Sequence, residues 1–405
     1  MIPGRNSCST AESEPSQGVL SGLRVVELAG IGPAPFAAML LGDLGADVIR
    51  IDRAGGHAGN PVPPAQDLLN RNRRSIELDL KDGTDIGIAK SLISEADVLI
   101  EGYRPGVTER LRLGPDECRQ VNPRLVYARM TGWGQTGPLA PHAGHDINYI
   151  SQVGLLDAIG SRNGPPAIPL NIIGDFGGGG LLLAYGILAA LYDVAKTGIG
   201  QVIDAAMTDG AALLTTMLHT WRHANLWSDR RGTNMLDGGA HYYNVYQTSD
   251  DRYLSVGAIE PKFYRDFLRG LGVAEDGDWL TSHSNASQWA EMTERVAAII
   301  RGRTLADWLD TFAGSDACVS PVLTVDEALH DAHNVARSSF ISVDGVAQPA
   351  PAPKFDRSPA PPPRPWPAPG QHSAEIRSAL ALSPDWPAPT AESHSKAPSA
   401  HQIQE

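Results

Sequence analysis

Two pieces of the chain decide the fold: Leu23-Arg24-Val25-Val26-Glu27-Leu28-Ala29-Gly30, and Ala46-Asp47-Val48-Ile49-Arg50-Ile51-Asp52. Each is a short run rich in β-branched residues, the first closing on a glycine. Between them residues 36–44 carry apolar side chains at helical spacing and stop at Gly45, a C-cap residue. The alternation continues outward. Residues 86–96 read as a helix, Asp97-Val98-Leu99-Ile100 as a strand, and Leu125-Val126-Tyr127-Ala128-Arg129-Met130 as another strand. This rhythm predicts an α/β fold, a doubly wound and mostly parallel sheet with helices on both faces.

Further on, Gly174-Asp175-Phe176-Gly177-Gly178-Gly179-Gly180 feeds a helix over residues 181–195. That helix is apolar nearly all round, which predicts burial in the core. Past residue 226 the pattern changes. Tyr253-Leu254-Ser255-Val256-Gly257 reads as a strand, and residues 263–271, 288–300 and 305–312 as helices. The expected organisation is a flexible extension (1–18), a large Rossmann-like domain (19–225), a small α+β domain with linkers (226–335), a return segment (336–365) and a flexible Pro-rich tail (366–405). The tail follows from composition, because 14 of the 31 prolines lie from Pro349 onward.

Composition narrows the function. The 405 residues hold 33 Lys+Arg against 46 Asp+Glu, a net charge of −13, which argues against a nucleic-acid binder. At 42% hydrophobic and 20% charged, the chain has enough apolar residues to fold into an ordinary globular body. Cys8, Cys118 and Cys318 lie far apart and form no CxxC pair, so neither a disulfide framework nor a cysteine zinc site is expected. A reducing, cytoplasmic setting fits. The N-terminus has no apolar signal core, the apolar stretch 181–191 is too short to span a bilayer, and Gln402-Ile403-Gln404-Glu405 matches no peroxisomal tripeptide. No membrane, metal or separate cofactor is expected.

Four motifs carry chemistry. Gly30-x-Gly32-x-x-Pro35, with Asp52 ending the next strand, has the outline of a dinucleotide fingerprint, but Pro35 replaces its third glycine. A tight turn explains it as well. A basic run, Arg50, Arg53, Arg71, Arg73, Arg74, Lys81, Arg104, Arg110 and Arg112, lies in a span (50–112) with ten basic and ten acidic residues. Guanidinium groups suit a polyanionic ligand, while a salt-bridged face explains the same residues equally well. Gly144-His145-Asp146-Ile147-Asn148-Tyr149 precedes Asp175 by 30 residues, counted from His145. An N-cap role explains Asp175 but not the glycines after it; an oxyanion near bare backbone N–H groups explains both. Glu260, in Ala258-Ile259-Glu260-Pro261, reads alone as an ordinary turn residue.

Taken in order, these residues resemble the α-methylacyl-CoA racemases of the family III CoA-transferase superfamily. The likeness covers about residues 20–357, and includes Arg71-Asn72-Arg73-Arg74, Glu101-Gly102-Tyr103-Arg104-Pro105-Gly106 and Thr131-Gly132-Trp133-Gly134-Gln135-Thr136-Gly137-Pro138. The resemblance implies two chains interlocked as a homodimer, with each active site between one chain's large domain and the other's small domain. It implies His145 and Asp175 as the acid–base pair, with Glu260 orienting the histidine. It implies CoA contacts from Arg53, Leu78, Asp79, Leu80, Lys81, Gly102, Tyr103, Arg104, Arg110, Gly144, Asp146, Ile147, Asn148 and Tyr149, and an enolate held by the N–H groups of Gly177 and Gly178. The implied reaction is inversion at the α-carbon of a 2-methylacyl-CoA by proton transfer. The alternative is CoA transfer between carboxylic acids through an Asp175 anhydride, although that branch does not normally carry histidine at position 145. Met207, Met217 and Met235 could line the acyl group. A hydride-transferring enzyme would need a hydride acceptor, and the missing third glycine speaks against it; a Pro-rich interaction module would leave the His145–Asp175 spacing unexplained.

Overall fold

A computed structural model describes residues 18–55, 62–63 and 66–389. These fall into two compact units. The first comprises residues 18–143, 175–210 and 338–389, and the second residues 144–174 and 211–337. Residues 144–174 and 211–225 therefore group with the second unit, not with the large domain to which the sequence reading gave them. The expected 1–18 extension lies, but for Gly18, outside the described residues.

In chain order the first unit contributes β1 (Arg24–Leu28), α1 (Pro33–Asp43), β2 (Asp47–Arg53), β3 (Arg73–Leu78), α2 (Gly83–Ser94), β4 (Val98–Glu101), α3 (Val107–Arg110), α4 (Pro115–Val121) and β5 (Val126–Thr131). After α5 (Asp146–Gln152), part of the second unit, come a π-helix (Ile172–Leu181), α6 (Leu182–Thr197), β6 (Val202–Ala206) and α7 (Met207–Leu214). The six strands form one sheet in the order β3-β2-β1-β4-β5-β6, every pair parallel. Strand order reverses between β1 and β4, which opens a crevice at the carboxyl ends of those strands. Val26, Leu28, Ile49, Ile76, Leu99 and Tyr127 are buried in the core packed on this sheet.

The helix after the glycines departs from expectation in two ways. It begins at Ile172, so the helical run Ile172–Thr197 is 26 residues long. By length and composition alone it could cross a membrane, which the shorter 181–191 reading had excluded. It is also not buried all round. Leu183, Ile187, Ala190 and Val194 face the interior, whereas Leu181, Tyr185, Leu188 and Tyr192 are exposed. Both sets follow a heptad spacing, so two apolar stripes run down opposite parts of one helix.

The C-terminal residues correct the flexible-tail expectation as far as residue 389. β10 (Phe340–Val343) and β11 (Val346–Pro349) form a hairpin. The chain then crosses edge strand β3. The Ser75 N–H donates to Nδ1 of His372 at 3.0 Å, and the Glu77 N–H to Oγ of Ser373 at 3.0 Å. Side chains thus satisfy an edge that would otherwise template another strand. α15 (Ser373–Leu382) buries Ile376, and the Trp386 indole donates to Asp47 at 2.8 Å. The prolines shape a strap here, with the chain docked across the large unit.

The second unit holds, after α5, α8 (Thr216–His223), β7 (Tyr243–Gln247), β8 (Tyr253–Gly257), α9 (Pro261–Leu271), α10 (Gly277–Thr281), α11 (Trp289–Ile300), α12 (Leu305–Phe312), β9 (Val319–Pro321), α13 (Val325–His330) and α14 (Ala332–Arg337). β7, β8 and β9 make an antiparallel sheet. Tyr264, Phe267, Leu268, Met292, Val296 and Trp308 pack the core behind it.

Candidate active site

A cavity of about 510 Å³ opens in the first unit at the carboxyl ends of β1, β2, β3 and β4. Its lining includes Gly30 and Ile31 after β1, Arg53 at the end of β2, Leu78 to Lys81 after β3, and Gly102 and Tyr103 after β4. This is where a doubly wound sheet receives ligands. The Arg53 side chain stands at the exposed end of an otherwise buried strand. Burial and the Glu101 carboxylate push the Tyr103 phenol upward, which keeps it a neutral hydroxyl.

Four of the nine residues of the basic run do something else. Arg50, Arg71, Arg73 and Arg74 are buried and paired with carboxylates. Glu27 on the central strand takes Arg50 at 3.3 Å and Arg73 at 3.1 Å. Arg71 pairs with Asp43 at 2.5 Å, and Arg74 with Asp47 at 2.6 Å. These four arginines are neither a solvent face nor a ligand patch; with their carboxylates they form a buried ionic layer. Asp52 belongs to it, accepting from Arg50 at 3.0 Å and from the Ser75 hydroxyl at 2.6 Å. Asp52 also lines the cavity, with its carboxylate already engaged by these two donors.

The loop from β4 to α3 is held from behind. Glu101 and Arg129 are register partners on β4 and β5. Arg129 donates to Glu101 through Nε at 2.8 Å, and to Glu109 on α3 at 2.8 Å and 3.3 Å. The other Glu101 oxygen accepts the Tyr103 N–H at 2.7 Å. Burial alone would lower the Arg129 guanidinium, but the Glu109 hydrogen bond and the charges of Glu101 and Glu109 outweigh it and hold the group above its ordinary value. Arg104 and Arg110 lie exposed on this loop.

The glycine turn after β1 serves Asp175. Gly32 has φ 70° and ψ −120°, a conformation open mainly to glycine. A Cβ there would stand 3.4 Å from an Asp175 carboxylate oxygen. The Asp175 side chain therefore lies beside the N-cap of α1, where a carboxylate is favoured. The π-helix puts it there. Phe176 packs on Phe36 of α1 with ring centroids 4.8 Å apart. Gly180 fits because a Cβ would come within 2.6 Å of the Pro33 carbonyl oxygen. Likewise a Cβ on Gly210 would collide with the Gly178 carbonyl at 1.8 Å. These contacts make Gly180 and Gly210 packing glycines. The helix starts at Ile172, so Gly177 and Gly178 lie past its first turn, where a π-helix pairs each N–H with the carbonyl five residues before it.

In the second unit His145 is the exposed N-cap of α5, and its N–H donates to Asn148 at 3.1 Å. Ile147 and Asn148 are exposed on the same turn. Asp146 and Tyr149 point inward instead: both are buried, and the Tyr149 hydroxyl donates to the Gly144 carbonyl at 2.5 Å. A Cβ on Gly174 would lie 2.6 Å from an Asp146 carboxylate oxygen, so the Asp146 side chain packs against the bare backbone of Gly174. Their chain neighbours are His145 and Asp175. Glu260 is the exposed N-cap of α9, and the carbonyl just before it, on Ile259, accepts from His283 Nε2 at 2.8 Å. His283, Tyr242, Trp221, Trp227, Trp289 and Met235 line a second cavity, of about 580 Å³. Met207 is buried and Met217 exposed. Behind that cavity His241 is fully buried and donates to the Tyr264 hydroxyl at 2.7 Å, since that hydroxyl gives its own proton to the Trp279 carbonyl. Burial, then the charge of His283, lowers the His241 imidazole to about 4.

The model of one protein family, CoA-transferase family III, matches residues 20–373. The chain belongs to CoA-transferase family III. Within it the chain is 45% identical to the mouse α-methylacyl-CoA racemase, over 88% of this chain and 92% of that one, and 44% identical to the human racemase, over 90% and 94%. Among solved structures it is similar to a CAIB/BAIF family protein from Brucella suis, with a TM-score of 0.76 and 26% identity over 90% of this chain and 100% of that one.

Arg53, Leu78, Asp79, Leu80, Lys81, Gly102 and Tyr103 are gathered in one cavity. Gly144 to Tyr149 and Glu260 stand in the second unit, and Asp175 in the first. The sequence reading missed Glu101, Glu109 and Arg129. A signal existed: Arg129 is a lone charge in the middle of an apolar strand, which a parallel core strand tolerates only when a partner awaits it.

Proposed function

We propose that the chain racemises 2-methyl-branched acyl-CoA thioesters by moving a proton on and off the α-carbon. The carrying observation is identity of 44–45% with two racemases along about nine-tenths of the chain.

An α-proton beside a thioester is weakly acidic, so its removal needs a positioned base and a stabilised enolate. Inversion needs one group on each face of the carbon. In this reading His145 takes the proton from one enantiomer while Asp175 delivers one to the other face, and the roles exchange for the reverse direction. Glu260 fixes the imidazole. The nucleotide end of CoA occupies the crevice, with Arg53 and Lys81 beside its phosphates. The α6 stripe Leu181, Tyr185, Leu188 and Tyr192 supports a homodimer, since exposed apolar side chains at heptad spacing suit a partner surface.

Incubation of one enantiomer of a 2-methylacyl-CoA in D₂O tests the reading. The expected result is α-deuterium together with loss of optical purity, both abolished in at least one direction by His145→Ala. Acyl transfer to an added carboxylic acid without exchange, and an anhydride at Asp175 that hydroxylamine traps, would make the chain a CoA-transferase instead.

A further inference from the structure

We propose that Arg129 is a positioning residue that sets affinity for the nucleotide end of the ligand without touching it; the proposal rests on the CoA reading of the crevice. The guanidinium does not line the cavity. It holds the loop that does, and at two places. Through Glu101 it fixes the turn at Tyr103, because the same carboxylate accepts from Arg129 at 2.8 Å and from the Tyr103 N–H at 2.7 Å. Through Glu109 it fixes α3 by two further bonds, at 2.8 Å and 3.3 Å. Between these anchors lie Arg104, Pro105 and Gly106.

The loop needs such a clamp. α3 is only four residues long and starts at Gly106 with φ 80° and no side-chain cap. One turn of helix has almost no stability of its own, since nucleation fixes several dihedrals for a single hydrogen bond. Yet Val107 and Leu111, one turn apart, line the cavity beside Gly102 and Tyr103. Released from Arg129, the loop would be ordered only on binding, and the ordering would be lost from affinity. Lysine cannot substitute, because one ammonium does not present the fork that reaches both carboxylates.

The test compares two substrates of the full-length protein, a 2-methylacyl-CoA and the matching acyl-pantetheine thioester, which lacks the nucleotide. Arg129→Met and Arg129→Lys should raise KM for the CoA ester and Kd for CoA about tenfold, leave kcat at saturation unchanged, and leave kcat/KM for the pantetheine ester unchanged. Glu109→Gln, a partly exposed single anchor, should show the same split at about two- to fourfold, and carries the test if the Arg129 variants do not fold. Equal losses on both esters, or no change on either, would overturn the proposal by making Arg129 merely structural or idle. Wild-type protein that handles both esters equally well would overturn the CoA reading of the crevice, and the proposal with it, whatever the variants do.

Discussion

Replacing Glu27 by glutamine should unfold the first unit more readily while leaving ligand affinity in the folded protein intact. Glu27 is fully buried on β1 and is the shared carboxylate of Arg50 and Arg73. The substitution keeps shape and removes charge. Arg50 would keep Asp52 at 3.0 Å and the side-chain Oδ1 of Asn70 at 2.6 Å. Arg73 would keep only neutral acceptors, the carbonyls of Leu69, Arg71 and Pro35. Burial already lowers the Arg73 guanidinium despite Glu27 beside it. Stranding one such charge costs about 3–5 kcal/mol, because desolvation is no longer offset by a counter-charge. Urea denaturation read by far-UV circular dichroism, with Arg53→Met as the control, measures it. Arg53 lies at the exposed end of β2 and lines the crevice, so its removal should raise KM severalfold and leave the urea midpoint in place. A Glu27→Gln protein within 1 kcal/mol of wild type, or one with weakened CoA binding at unchanged stability, would refute the division of the arginines into a buried layer and a ligand edge.

Two further outcomes follow from other parts of the molecule. His241 titrates near 4 when folded and near 6.5 when unfolded, so below pH 6.5 the unfolded state binds the extra proton. Its contribution is therefore fully present above pH 6.5, falls by about 3 kcal/mol as pH drops to 4, and then levels off. Urea midpoints of the second unit, read by tryptophan fluorescence, should lose less between pH 7 and pH 4.5 in His241→Phe than in wild type; equal losses would remove His241 as a cause. On α6, Tyr185→Glu with Leu188→Glu should leave the sheet-facing stripe untouched and yield a monomer by light scattering, with racemisation lost. A dimer of wild-type mass would disconnect that stripe from assembly.

The sequence displayed the sheet but hid one of its edges. β1, β2, β4 and β5 were legible because apolar, mostly β-branched or aliphatic residues dominate each run, with no more than isolated charges inside it, as parallel strands buried on both faces allow. β3 reads Arg-Arg-Ser-Ile-Glu-Leu, and its arginines make it look like a polar loop. They are buried only because Glu27, Asp47 and Glu375 come to meet them from distant parts of the chain. No local pattern announces a counter-charge 46 or 301 residues away. The C-terminal strap was hidden for the same reason. Proline content marks a chain that cannot form ladders of its own, and says nothing about whether His372, Ser373 and Trp386 will supply hydrogen bonds to someone else's.

Glycine was the residue type most easily misread, because its lack of a side chain admits two unlike occupants. Bare backbone can be left open for a ligand or filled by another segment of the same chain, and composition is identical in the two cases. Here the filled case dominates: Gly180 gives way to α1, Gly210 to Gly178, and Gly174 to Asp146. These three approaches pin the π-helix along its length, and a wide helix with a poor intrinsic bonding geometry persists only where packing fixes it. Gly32 then adds the one position where the freedom serves the site, its positive φ clearing room beside the Asp175 carboxylate. The glycines therefore act at one remove: packed against α1 and its neighbours, they hold the Asp175 carboxylate beside the head of α1.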